Sequence, residues 1–139
     1  MQDLRRLADR PTWLLGRAYA RSRTLLNEGF GQEGLSGYHF RVLAALDEHG
    51  SLSQADLGRH AKLDRSDVVA TVNDLVEARL VRRDADAADR RRNIIAITAS
   101  GASALERLGQ RLDEVQDRLL EALSPRERVT LVRLLRKLT

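Results

Sequence analysis

"DADAADRRRNIIAIT", Asp84 to Thr98, is the stretch on which the reading of this chain turns. Three carboxylates spaced by alanines run into Arg90-Arg91-Arg92 and then into a β-branched apolar run. With "LVRR" just before it, two β-leaning segments flank a polar one, which reads as a β-hairpin. No Gly or Asn-Gly stands at the tip, so a longer mobile loop is expected rather than a two-residue turn. Three adjacent arginines there are either a solvated turn or a grip on something negatively charged. Bulk charge does not decide between them. Residues 59 to 92 hold nine Arg/Lys and seven Asp/Glu, a net of only +2. Position has to decide.

Immediately upstream lie two short helices in quick succession. Ser53 opens "SQAD" and Asp64 opens "DRSD", each placing a carboxylate three residues beyond a helix cap. The first helix is expected to run to about His60. The second, carrying Val68, Val72, Leu75 and Val76 inward, continues to about Arg79. A helix pair joined by a tight turn such as "HAKLD" is the arrangement of a helix-turn-helix. Ser51-Leu52 is too short to assign.

The totals are compatible with that arrangement without requiring it. A chain of 139 residues suits one domain, or one domain with an extended assembly surface. With five aromatics, Leu, Val and Ala must supply most of the core. The absence of cysteine removes disulfides, thiolate metal sites and cysteine nucleophiles. His39, His49 and His60 lack metal-ligand spacing, and no phosphate loop or nucleophile elbow is visible, so neither a metal, a cofactor nor an enzyme is expected. No apolar run approaches membrane-spanning length and the N-terminus has no signal-peptide pattern, which makes the cytoplasm the expected location. Of 24 positive residues only Lys62 and Lys137 are Lys. Codon bias explains that first, although arginine's fork also suits phosphate and guanine.

Helices flank the central segment. Pro11 suits a helix start, with Trp13, Leu14, Ala18 and Leu25 at helical spacing and an end expected near Gly29. Ser36 caps a helix carrying Phe40, Leu43 and Leu46, stopped at His49-Gly50. Beyond Thr98 or Ser100, Leu105, Leu108, Leu112, Val115 and Leu119 alternate three and four apart, a heptad-like seam. "SPRE" from Ser124 opens a last helix with Leu131, Leu134, Leu135 and Leu138 on its apolar face. Leu105, Leu108, Leu112, Leu131, Leu135 and Leu138 are read as a dimer interface, because a chain this short has little else on which to pack two leucine-rich helices.

The order of these elements and "DRRRNIIAIT" resemble the MarR (multiple antibiotic resistance regulator) family of winged helix-turn-helix transcription factors. That family's wing carries an Asp-x-Arg pair, a strand ending in Leu-Thr, and a Gly three residues after the Thr. Here Asp89-Arg90-Arg91, Ile97-Thr98 and Gly101 occupy those places. "LSQADLGRHAKLDRSDVVATVNDLVEARLVRR" and "LSGYHFRVLAAL" are similar to its helix-turn-helix and second helix. Asp67 and Val69 depart from the small hydroxyl residues frequent there. The resemblance implies a mainly α fold with a small β-hairpin wing and a homodimer joined through its N- and C-terminal helices. It divides the chain into a DNA-binding lobe at about 36–98 and dimerisation helices at about 10–30 and 99–139. It further implies a repressor that sits on a palindromic operator in double-stranded DNA and is released by a small aromatic or acidic effector.

Candidate site residues follow. Helical geometry puts Arg65, Ser66, Val69, Ala70 and Asn73 on the outer face of the second short helix, narrow enough for a major groove. Arg65 suits guanine, Asn73 adenine or a phosphate, and Val69 and Ala70 thymine methyls. Ser53 and Gln54, at a helix N-terminus, suit a phosphate contact. In the wing, the resemblance sends Arg91 to the minor groove with Asp89 orienting an arginine or tying the wing to the lobe, and Arg90 or Arg92 takes phosphates. Trp13, Arg17, Tyr38 and His39 border the space where the family's effectors lodge, and form the candidate ligand pocket. Two other readings stay open: a regulator without a ligand, and a helical protein-interaction module that does not bind DNA productively.

Overall fold

Five of the six helix starts in the structure are closed by a side chain of the type the sequence leads one to expect. The structure is a computed structural model that describes residues 4–139. In chain order it comprises α1 (Pro11–Gly31), α2 (Gly37–His49), β1 (Leu52–Ser53), α3 (Gln54–Ala61), α4 (Arg65–Glu77), β2 (Val81–Ala85), β3 (Asn93–Ile97), α5 (Ala99–Leu119) and α6 (Pro125–Lys137). Ser36, Ser53, Asp64, Thr98 and Ser124 each accept the backbone N–H three residues on, satisfying a donor that the helix leaves orphaned. At α2 the capping box is closed by His39 rather than by Glu. Among the described residues only α1 starts without a side-chain cap, on Pro11.

The core draws on every helix but α6 and on the sheet. Phe30 of α1, Leu43 and Leu46 of α2, Leu57 of α3, Val72 and Leu75 of α4, Ile95 of β3 and Leu108 of α5 are all buried together. Stacking of Phe30 on Phe40, with centroids 5.3 Å apart, seats the start of α2 on the end of α1. Beyond the core α1 runs along α5. Gly29 lies so close to α5 that a Cβ there would stand 2.8 Å from Val115 Cγ2. Glu33 accepts from Arg107 and Arg111 of α5, and Arg21 donates to the carbonyls of Arg118 and Leu119 at its C-terminal end. Among the described residues no helix is long and apolar enough to cross a membrane.

The sheet is antiparallel with order β1-β3-β2. The two-residue β1, unassignable from sequence, exists because Leu52 and Ser53 pair with Ile95 and Ile94 across β3. A strand that short owes its existence to its partner.

The α5 seam corrects one expectation. Leu108 is fully buried inside this chain, and Leu105 and Leu112 are half-buried against the same core. α1 and α2 both press on that stripe and take up Leu108 entirely, while Leu105 and Leu112 keep part of their surface exposed. Leu108 therefore presents nothing to a second copy. The apolar face of α6 behaves otherwise. Every α6 residue keeps some exposure, with Val129 and the capping Leu138 just beyond the helix each 71% exposed and Leu131 half-buried. Leu134 and Leu135 are exposed as well.

Candidate nucleic-acid interface

The recognition face is built by two turns of backbone geometry. Lys62 adopts φ 58°, reversing the chain after α3, and Leu63 N–H donates back to Gly58 O at 3.0 Å. Asp64 then caps α4. Its carboxylate accepts from Asp67 N–H at 2.8 Å and from the Ser66 hydroxyl at 2.9 Å. Those bonds hold Asp64 below the usual carboxylate range. Partial desolvation and the neighbouring Asp64 charge push Asp67 upward. With Val68, Val72 and Leu75 buried and Val76 half-buried, Arg65, Ser66, Val69, Ala70 and Asn73 are left exposed. These five, with Asp64, line one open depression of about 690 Å³ along α4.

Alongside it runs a second groove of about 700 Å³. Ser53, Gln54, Ala55, Gly58 and Arg59 from α3 and its cap form one wall, Arg65 and Val68 of α4 another, and Arg91, Arg92 and Asn93 of the hairpin the third. Residues almost forty positions apart in sequence thus converge on a single concavity. Arg65 belongs to both depressions.

The hairpin tip is organised by carboxylates. Asp86 accepts from Ala88 N–H at 2.9 Å, and Asp89 from Arg91 N–H at 3.0 Å. Asp86 N–H donates to Arg92 O and Arg92 N–H to Asp89 O, closing the loop. Where the sequence suggests only a mobile loop without turn glycines, side-chain-anchored turns stand in for them. Asp89 also accepts from Arg91 Nε at 3.3 Å, so it orients that arginine, whose side chain remains 92% exposed. Arg92 lies 4.0 Å from Asp86. Arg90 is exposed and does not line the groove.

Two residues that the sequence did not single out belong to this surface. Arg59 lines the groove and pairs with Asp56. Arg83 of β2 donates to Asn73 Oδ1 across to α4. Nothing local marks either one. The Arg83 contact exists because β2 follows α4 through a tight reversal, with Arg79 at φ 63° and Leu80 N–H donating to Leu75 O.

The candidate ligand pocket is not assembled within one copy of the chain. Trp13 precedes Phe30 by 17 positions on an unbroken helix, roughly 25 Å at 1.5 Å per residue. Tyr38 and His39 sit at the other end, in the first turn of α2, next to Phe30. Their side chains have local work: Arg41 lies over the Tyr38 ring, and His39 bridges Ser36 to Asp74 of α4, its Nε2 3.0 Å from Asp74 Oδ2. None of the four, Arg17 included, lines either depression.

Comparison with known proteins agrees with the wing and helix geometry. A family model described as MarR family matches residues 33–92. The HTH-type transcriptional repressor NicR of Pseudomonas putida is 31% identical over 90% of this chain and 79% of its own length. The chain belongs to the MarR family. Its fold matches a probable transcriptional regulator from Pseudomonas aeruginosa with a TM-score of 0.86 at 32% identity, covering 96% of this chain and 99% of that one. It also matches Bordetella bronchiseptica BpsR, whose DNA binding is regulated by 6-hydroxynicotinic acid, with a TM-score of 0.80 at 30% identity over 90% and 95% of the two chains. As a MarR-family protein it is a DNA-binding transcriptional regulator of the winged helix-turn-helix type.

Proposed function

We propose that this MarR-family protein acts as a homodimeric repressor that holds a palindromic operator and releases it on binding a small aromatic acid. The observation that carries the reading is the convergence of Ser53, Gln54, Arg65, Arg91 and Arg92 on one groove, beside an exposed α4 face bearing Ser66, Val69, Ala70 and Asn73. Arg65 reads guanine from the major groove, Arg91 enters the minor groove, and Arg92 with the N-terminus of α3 holds phosphate. Residues 36–98 form the lobe that does this work.

Dimerisation is supported by the uncovered apolar side of α6, a liability for a chain that stays alone. A two-fold pair of lobes meets a palindrome with one recognition helix per half-site. Repression is supported by the relative named as a repressor, and the effector class by the regulation of BpsR by 6-hydroxynicotinic acid. The candidate pocket residues Trp13, Arg17, Tyr38 and His39 then come together only between two copies.

Selection of bound sequences from a random duplex library tests the reading. A palindromic consensus should emerge, and affinity for it should fall with salt at a log–log slope of about −0.9 per phosphate neutralised. Titration of that complex with 6-hydroxynicotinic acid and with other aromatic carboxylic acids should release DNA. Failure to enrich any sequence would overturn sequence-specific binding, and release by none of the acids would overturn the effector class.

A further inference from the structure

The contact between Arg83 and Asn73 settles what Asn73 can offer to DNA. Arg83 Nη2 donates to Asn73 Oδ1. A guanidinium carries donors only, so the end of the amide facing Arg83 must be the oxygen, and Nδ2 with its two hydrogens faces away. Asn73 lies on the exposed side of α4, one turn beyond Val69 and Ala70 on the same depression. An asparagine reads adenine by pairing its oxygen with N6–H and its nitrogen with N7 at once. Here the oxygen is already engaged. It keeps a second lone pair, but adenine's N6–H drawn to that site would approach the positive guanidinium with like polarity.

We propose that Arg83 is a positioning residue that turns Asn73 into a donor-only contact, directed at a hydrogen-bond acceptor and not at the paired N6–H and N7 of adenine. The acceptor is either a phosphate oxygen or a base acceptor such as guanine O6, thymine O4 or the N7 of either purine, so that adenine is never preferred to guanine. The inference rests on the reading that the α4 face carries the base contacts. It goes beyond that reading in assigning Arg83, which lies on the wing and lines neither depression, a part in operator choice.

The experiment compares sequence selection by the full-length wild type, Asn73→Ala, Arg83→Met and Arg83→Lys on one random duplex library, with affinities for the resulting consensus. If a base acceptor is the target, one position per half-site loses its preference in Asn73→Ala, and the wild type there does not favour adenine over guanine. If a phosphate is the target, Asn73→Ala weakens all sequences alike. If the target is a base, Arg83→Met frees the oxygen and should create an adenine preference of about 5- to 150-fold, the discrimination of one good bidentate pair. Arg83→Lys retains a charged donor and should keep the wild-type preference, which a general loss of wing structure would not allow. An adenine preference in the wild type that Asn73→Ala removes overturns the proposal, whether or not Arg83→Met alters it. Where Asn73→Ala has shown a base target, so does an Arg83→Met selection identical to wild type. Where it has shown a phosphate, Arg83→Met must weaken all sequences as Asn73→Ala does, and unchanged affinity overturns the proposal. If Asn73→Ala and Arg65→Ala both leave affinity and preference unchanged, the reading of the α4 face fails as well, an outcome distinct from the other two.

Discussion

Arg91 and Asp89 show how little of a side chain's work its charge describes. Their pairing at 3.3 Å is exposed, and an exposed ion pair contributes about 1 kcal/mol at most. Its value is geometric. Asp89 fixes both the backbone N–H and the guanidinium of Arg91, so the arginine is aimed before DNA arrives. Arg91→Ala should lower operator affinity while leaving the melting temperature within a degree or two of wild type. Asp89→Ala should produce a smaller loss, because the charge stays but its orientation is lost. Equal affinity for wild type and Arg91→Ala in a fluorescence anisotropy titration would remove the wing from the interface. At Arg65, alanine should cost ~1–3 kcal/mol and relax preference at one base pair per half-site, whereas a uniform loss on every sequence would make it a phosphate contact. Both placements, Arg65 on the outer face of α4 and Arg91 beside Asp89 in the wing, were legible in the sequence. Those of Arg59 and Arg83 were not, since each depends on which element the fold sets opposite.

At the scale of elements, the junction between wing and α5 holds the lobe to the long helix. Thr98 caps α5 through Gly101 N–H at 3.0 Å, and its hydroxyl donates to Arg79 O at 2.8 Å. Its own N–H donates to Leu80 O at 3.1 Å. Gly101 packs so tightly that a Cβ would collide with the Leu80 carbonyl oxygen and lie 2.8 Å from Ile97 Cγ1. The Thr and the Gly of the sequence motif are thus one device, a close crossing of α5 over the turn between α4 and β2. Thr98→Ala should destabilise the protein by about 1–2 kcal/mol. Gly101→Ala should cost about 3 kcal/mol or more, since a backbone carbonyl cannot step aside as a side chain can. Chemical denaturation measures both, and a neutral Gly101→Ala would refute the crossing. Acid should loosen the start of α4. Asp64 is held low by the bonds that it accepts, so its stabilisation is present above the ordinary carboxylate pKa and lost as pH falls through the lowered one. Asp64→Asn caps without a charge. Its melting temperature should therefore fall less than that of wild type between about pH 5 and pH 2. Parallel curves would rule the cap out as the acid-sensitive group.

The whole molecule divides its apolar surface between inside and outside in a way that periodicity alone did not separate. The seam on α5 and the stripe on α6 look alike in sequence, both rich in leucine at helical spacing. In the fold, Leu108 is sealed in the core while Leu134, Leu135, Leu138 and Val129 stay exposed. Replacing Leu108 by Ala should cost about 2–5 kcal/mol as a cavity, with the oligomeric state unchanged among molecules that fold. Replacing Leu135 and Leu138 together by Glu should spare the fold and shift sedimentation from dimer to monomer, with operator affinity falling because two half-sites are no longer held by one particle. A double variant that remains dimeric would move the interface off α6.

What the sequence determined by itself was local: helix starts set by Ser, Thr and Asp caps, the exposed face of α4 set by where its valines fall, and the hairpin with its arginines. Each depends on spacings within a few residues, where one backbone geometry dominates. Only the tertiary structure decided which elements face each other. It brought Gln54, Arg65 and Arg92 to one groove, gave β1 a partner strand, sealed Leu108 of the α5 seam inside the chain and set Arg83 against Asn73. It also separated Trp13 from His39 along the length of α1. Such contacts link residues far apart in the chain, and packing of the whole core selects them. No short stretch of residues contains that choice.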